Sequence, residues 1–218
     1  MQSLEEYTSK AKNIDFRTEC WIDGRFVPSR SGETFSNINP ATGKKLCDVA
    51  KGNSSDIAAA VKVARTAFED GRWSGKTPSE RKEVILNLAK LIRENVTEMA
   101  LLDTLDMGKP ISETVNVDAP GSAFFFQWHA EAVDKIYDEI APTGGRDVAM
   151  IRRSPLGVIG AVVPWNFPLD MATWKLAPAL VTGNSVVLKP AEQSPLSALR
   201  LAEMAKEAGL PDGVLNVC

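Results

Sequence analysis

Residues 158–184 read VIGAVVPWNFPLDMATWKLAPALVTGN, and this stretch decides the fold. Val158 to Val163 is a near-continuous apolar run between Gly157 and Pro164, the pattern of a strand buried on both faces. Pro164 stops it, because proline has no N–H for a sheet ladder. Trp165-Asn166-Phe167-Pro168 makes a turn, and Leu169 to Val181 predicts a mainly apolar helix in spite of Pro178. Asn184 to Lys189, NSVVLK, predicts a second buried strand, again ended by a proline. Strand, helix, strand is the parallel crossover unit of an α/β protein. Ligands of open α/β sheets sit beyond the carboxyl ends of the strands. Asn166 follows the first of these strands and Lys189 ends the second.

Upstream, residues 1–17 predict an exposed helical lead-in. Trp21-Ile22-Asp23-Gly24-Arg25-Phe26-Val27 predicts a hairpin, since Asp-Gly favours the tight primed turn. Asn39 to Gly43 is a further turn, with a strand-like Leu46–Ala50 after it. A helical array follows. Ile57, Ala60, Val61, Ala64 and Phe68 share one helical face, which Gly71 can terminate. Thr77-Pro78-Ser79-Glu80 is a capping box with proline at the first helical position, and Ile85, Leu88, Ala89 and Ile92 line the helix behind it. Met99 to Met107 repeats the pattern until Gly108-Lys109-Pro110 breaks it, and Ser112 to Tyr137 predicts a longer helix interrupted at Pro120-Gly121. Ile140 to Pro155 holds a Gly144-Gly145 turn between extended segments, a surface hairpin on the residues alone. Downstream, Ser194-Pro195 starts a helix through Ala208 with Gly209 as its cap, and Gly213 to Val217 begins another strand.

The 218 residues carry a net charge of −3 with no long basic tract, which argues against nucleic-acid binding. Prolines and Lys175 interrupt the most apolar region, so no segment reaches the ~20 apolar residues of a membrane span. The polar N-terminus lacks the apolar core of a secretory signal. Cys20, Cys47 and Cys218 are odd in number and widely spaced, which suggests neither disulfides nor a metal site. A cytoplasmic protein is the expectation.

PWNFP, the Trp174-Lys175 pair and KPAEQSPLSAL, in this order and at this separation, closely resemble the NAD(P)-dependent aldehyde dehydrogenase superfamily. The resemblance runs from the Trp21–Phe26 hairpin to the closing GVLNV, and is strongest to bacterial enzymes of ω-amino, guanidino or γ-glutamylamino aldehydes. It implies an α/β fold: the N-terminal part of the aldehyde dehydrogenase fold, an atypical Rossmann-like parallel sheet with flanking helices plus an oligomerisation hairpin. Residues 1–17 would be a lead-in, and 18–136 an N-terminal sheet, lying outside the cofactor sheet, followed by the helical array of the cofactor-binding domain. Residues 137–156 would be the oligomerisation hairpin, joining sheets of a homodimer or homotetramer. Residues 157–218 would be the first strands and helices of the NAD-binding unit. The absence of G-x-G-x-x-G fits that atypical unit. Superfamily members are considerably longer. The catalytic domain, with its cysteine nucleophile and carboxylate base, is therefore expected to lie outside these residues, and the isolated chain is expected to be inactive and poorly soluble through an open sheet edge.

By the same resemblance, Asn166 donates its side-chain amide to the oxyanion formed when the cysteine attacks the aldehyde; on the residues alone it is a turn Asn between prolines. Lys189 and Glu192 would bind the hydroxyls of the adenosine ribose, Glu192 favouring NAD by repelling a 2′-phosphate; KPAE alone is an exposed charged loop. Val162, Val163, Pro164 and Trp165 match positions along the cofactor, largely through backbone. Lys175 is either a buried proton relay with lowered proton affinity or a surface lysine with its stem on Trp174. Phe167, Asp170, Met171 and Trp174 match the aldehyde tunnel, and Asp118 its mouth, so two carboxylates would attract a cationic tail such as that of 4-aminobutyraldehyde or 4-guanidinobutyraldehyde. Asp170 reads equally as a helix cap or local pair, with a neutral aldehyde as substrate. Cys218, directly after a strand, is not expected to be the nucleophile; Cys20 and Cys47 read as buried apolar residues, and His129 as packing. A short non-catalytic chain that binds nucleotide or longer subunits is the alternative reading.

Overall fold

A computed structural model describes residues 2–218. Helix α1 (Leu4–Lys12) leads to strands β1 (Cys20–Ile22), β2 (Arg25–Val27), β3 (Thr34–Asn39) and β4 (Lys44–Ala50). Helices α2 (Ser54–Glu69), α3 (Pro78–Glu94), α4 (Val96–Met107) and the single turn α5 (Ile111–Glu113) follow. A π-helical turn, Thr114–Asp118, joins α5 to α6 (Ala119–Ala132). Strands β5 (Glu139–Ala141) and β6 (Ala149–Ile151) make a separate hairpin. The chain closes with β7 (Val158–Val162), α7 (Pro168–Val181), β8 (Ser185–Lys189), α8 (Leu196–Glu207) and β9 (Leu215–Val217).

Strands β7, β8 and β9 are parallel, and α7 and α8 are the crossovers between them. Alternation along β8 divides the core. Val186 and Leu188 pack toward α7 and α8, while Val187 faces Ala60 and Ala64 of α2. The two alanines keep that face of α2 flat, so helix and sheet approach closely. Beyond α7 and α8, the helices α3, α4 and α6 add Ile85, Leu88, Met99 and Phe126, all fully buried, to the larger core.

Local signals account for several boundaries. Thr77 caps α3 by accepting from the Glu80 N–H while Glu80 reaches back to the Thr77 N–H, and Asn53 with Asp56 does the same for α2. At the Asp-Gly turn both residues are left-handed, Asp23 at φ 55° and Gly24 at φ 70°, and a Cβ on Gly24 would meet the Asp212 carboxylate. Pro178 is accommodated within α7, and Trp174, one turn before it and the residue whose carbonyl a proline there cannot serve, is half-exposed. The far end of α7 is closed from α3 and the loop before it: Trp73 Nε1 donates to the Leu180 carbonyl at 2.8 Å and Arg81 Nε to the Val181 carbonyl at 2.9 Å. A guanidinium suits this negative end of a helix dipole.

Four expectations are corrected. β7, expected to be buried on both faces, is among the described residues the outermost strand in the order β2-β1-β9-β8-β7, and Val162 is 71% exposed there. The Asp-Gly hairpin does not lie outside the cofactor sheet, because β1 pairs antiparallel with β9 at Trp21 and Val217 and so covers the edge expected to be open. Of the four N-terminal strands, β3 and β4 form a sheet apart. In α2 the buried face runs through Asp56, Ala60, Ala64 and Ala67, while Val61 is exposed. The helix predicted over 112–137 is interrupted by the π turn before Pro120, not at it. Pro120 is the second residue of α6, directly after the π turn.

Candidate functional site

The parallel register sets the carboxyl ends of β7 and β8 side by side: Val162 is opposite Lys189, and the Val163 N–H donates to the Lys189 carbonyl at 3.1 Å. The two loops that leave these ends carry most of the expected site residues. Pro164, Trp165, Asn166 and Phe167 are exposed on the first loop, whereas Val163 is buried and its N–H is used in the sheet. Of the residues expected along a cofactor, Val163 therefore offers no free N–H, and Val162 presents its side chain outward from the sheet edge.

On the second loop Lys189 Nζ donates to Glu192 Oε1 at 2.6 Å and to the Pro190 carbonyl at 3.3 Å. That bond, first among its causes, holds the Glu192 carboxyl below its ordinary range, so it is ionised at neutral pH. Both side chains line a cavity of about 360 Å³, with Cys20, Gly52, Leu199 and Cys218 among its walls. An ammonium donor and a carboxylate acceptor at the rim of an apolar cavity suit a ribose with a flat ring beyond it. Trp165 and Glu192 also border a second cavity of about 550 Å³, so the two loops meet there.

Beside Phe167 lies a polar cluster. Asp118 is 1% exposed and accepts both of its hydrogen bonds from Lys109 Nζ, at 2.6 and 2.7 Å. The same ammonium lies 3.9 Å from the centre of the Phe167 ring. Asp170 accepts from the Ser122 hydroxyl at 2.6 Å and caps no helix. Burial pushes Asp170 up to about 6; Ser122 and Lys109 oppose the shift and Asp118 adds to it. Of the two carboxylates expected at a tunnel mouth, Asp118 is thus already paired with a cation of this chain, Lys109, and Asp170 is not. Met171 is half-buried against the core, and Trp174 is half-exposed with its ring edge-on to Phe125. Lys175 is exposed among the described residues, next to the half-exposed Trp174.

Lys109, Ser122 and Gly121, against which Asp170 packs, were not legible as site residues. Gly108-Lys109-Pro110 reads as a helix stop, and nothing in sequence connects it to Phe167. The remaining polar candidates lie elsewhere. Cys20 and Cys218 line the cavity beside Lys189, away from the Asn166 loop. Cys47 sits in β4, pushed up to about 11 by burial and then by Asp106 and Asp48. Nδ1–H of His129 donates to the Phe125 carbonyl within α6. Among the described residues no cluster of His, Cys, Asp and Glu could hold a metal ion, and no helix is long and apolar enough to cross a membrane.

Residues 26–218 match the model of the aldehyde dehydrogenase family. Aminoacetaldehyde dehydrogenase of Pseudomonas aeruginosa is 50% identical over 99% of this chain and 43% of its own. The NADP/NAD-dependent aldehyde dehydrogenase PuuC of Escherichia coli is 50% identical over 98% of this chain and 43% of its own. The indole-3-acetaldehyde dehydrogenase AldA of P. syringae, solved in complex with NAD+ and IAA, superposes with a TM-score of 0.98 at 48% identity, covering all of this chain and 44% of that one. The chain thus spans less than half the length of these relatives.

Proposed function

The chain belongs to the aldehyde dehydrogenase family, and on that premise we propose that it supplies the oxyanion donor and the dinucleotide-ribose site for NAD-dependent oxidation of an aldehyde to its carboxylic acid. The observation that carries this reading is the register of β7 and β8, which brings the Asn166 loop and the Lys189–Glu192 pair to one edge of the sheet.

NAD, when bound, supplies the hydride acceptor. The residues fit it: Glu192 can accept from the vicinal hydroxyls of a ribose, and Lys189 can donate to them, at a cavity with apolar walls. Glu192 disfavours a 2′-phosphate, but Lys189 offsets part of its charge, consistent with a relative that is NADP/NAD-dependent. Asn166 donates its amide toward the aldehyde oxygen, which becomes an oxyanion when a cysteine thiolate from outside these residues attacks the carbonyl and forms a thiohemiacetal. A donor fixed in place before the charge develops is typically worth about 3–4 kcal/mol in the transition state. Loss of a hydride from the thiohemiacetal carbon would leave a thioester on that cysteine, and water activated by a carboxylate, also from outside these residues, would then release the acid and return the thiolate. Cys20, Cys47 and Cys218 are not placed for the attack.

The substrate is an ω-amino, guanidino or γ-glutamylamino aldehyde, held by its cationic tail at Asp170. The relative that oxidises aminoacetaldehyde supports this choice. A neutral aldehyde is the second reading, favoured by the neutralised Asp118 and by the indole-3-acetaldehyde relative. The β5–β6 hairpin, with Ile140, Val148 and Met150 exposed, pairs with another subunit to make a dimer or tetramer.

The test is oxidation of 4-aminobutyraldehyde and of butyraldehyde by the natural polypeptide with NAD, before and after Asp170→Leu. The charged-tail reading expects KM to rise about tenfold for the amino aldehyde and little for the other. Equal changes would favour the neutral aldehyde, and no oxidation of either would remove the enzymatic reading.

A further inference from the structure

Helices α7 and α8 both begin at residues that cannot cap them. Phe167 precedes α7 and Pro195 precedes α8, and neither makes a side-chain bond to its helix. The first N–H groups of a helix need partners, and buried ones that lack them are costly. Both helices take a partner from α4. Asp103 Oδ2 accepts from the Leu169 N–H at 3.3 Å, and Asp106 Oδ2 accepts from the Leu196 N–H at 2.8 Å.

The two aspartates are adjacent turns of one helix, 1% and 2% exposed. Burial pushes Asp103 up to about 7 and raises Asp106 as well, so the fold holds these groups against their solvation. Their other contacts do not account for that. Asn37 Nδ2 donates to Asp106 Oδ1 at 2.8 Å. Asp103 Oδ1 and the nearby Ser197 hydroxyl remain buried without a hydrogen-bond partner, although the hydroxyl lies close enough to favour the ionised carboxyl. What the two aspartates share is a bond to the start of a helix that follows a ligand loop. Leu169 comes three residues after Asn166, and Leu196 four after Glu192.

We propose that Asp103 and Asp106 are positioning residues: Asp103 fixes the Asn166 loop, Asp106 fixes the Lys189–Glu192 loop, and their spacing on α4 sets the distance between oxyanion donor and ribose site. The inference rests on the functional reading above. A misplacement of about 1 Å at a reacting centre can cost a hundredfold in rate, so a cap far from the chemistry acts through geometry. The two caps act on different loops, and their loss has different kinetic signatures.

The experiment is steady-state kinetics on the natural polypeptide carrying Asp103→Leu, Asp103→Asn, Asp106→Leu or Asp106→Asn, with hydrogen exchange at the Leu169 amide. Leucine has similar bulk and no acceptor. Asparagine keeps one, and can also donate to Ser197 from position 103 or to a turned-over Asn37, whose Oδ1 is unpartnered, from position 106. Asp103→Leu should lower kcat about tenfold or more with KM for NAD within about twofold. Asp106→Leu should raise KM for NAD about tenfold with kcat within about threefold. Both asparagine variants should stay within about threefold of the parent, and exchange at Leu169 should quicken only in Asp103→Leu. Parallel loss of kcat and NAD affinity in both leucine variants, or asparagine variants as impaired as the leucine ones, would overturn the proposal. If a leucine variant does not fold, fast exchange at Leu169 in Asp103→Asn would overturn it and slow exchange would uphold it. Asn166→Ala is the control: unchanged kcat there would sink the functional reading, leaving exchange at Leu169 to judge the cap alone.

Discussion

The two loops at the ends of β7 and β8 meet at one cavity yet are built in opposite ways. The first runs Pro164 to Pro168, apolar except for Asn166, and is stiffened by two prolines and by the bond from Asp103. The second carries Lys189 and Glu192 bonded to each other, both substantially exposed. A neutral amide on a stiff loop suits charge that appears only in a transition state, since its dipole is aimed beforehand. An exposed ion pair suits a ligand that must come and go, since such a pair contributes at most about 1 kcal/mol to stability and yields readily to a ribose. On the proposed reading, rate belongs to one strand end and dinucleotide affinity to the other.

That division can be broken most sharply at Asn166. Asn166→Ala in the natural polypeptide should lower kcat by about a hundredfold to a thousandfold, read from NADH formation at saturating substrates. A smaller effect is expected at Glu192. Glu192→Ala should weaken NAD about tenfold by equilibrium titration, as expected for a lost hydrogen bond to a charged group, while NADP weakens less and the preference between them narrows. The smallest effect is a pH dependence at Asp170. Because its folded value is raised to about 6, the carboxyl is neutral below that pH and charged above it. KM for 4-aminobutyraldehyde should therefore fall severalfold as pH rises from about 5 to about 7, and KM for butyraldehyde should not follow.

The crossover unit was legible because its signals are local: an apolar run stopped by proline, a helix, a second run stopped by proline. The same holds for the Thr77 capping box and the Asp23-Gly24 turn, and for Asn166, Lys189 and Glu192, whose place after a strand follows from chain order. What sequence hid depends on partners far along the chain. Strand β7 reads like β8, since both are Val-rich, yet among the described residues it is the outer strand and Val162 is exposed. Asp118 reads as a free acid until Lys109 is folded beside it. Asp103 and Asp106 break the apolar pattern of α4, which marks them as unusual, but the helix starts they serve lie 66 and 90 residues away. Trp73 and Arg81, which close the other end of α7, are hidden in the same way.

The separation of the two strand ends is tested most directly by titrating NAD into the Asn166→Ala protein. The account predicts a dissociation constant within about twofold of the parent although turnover has collapsed, because the ribose is held at Lys189 and Glu192. Loss of NAD affinity in step with kcat would contradict it, and would mean that the two loops act as a single element.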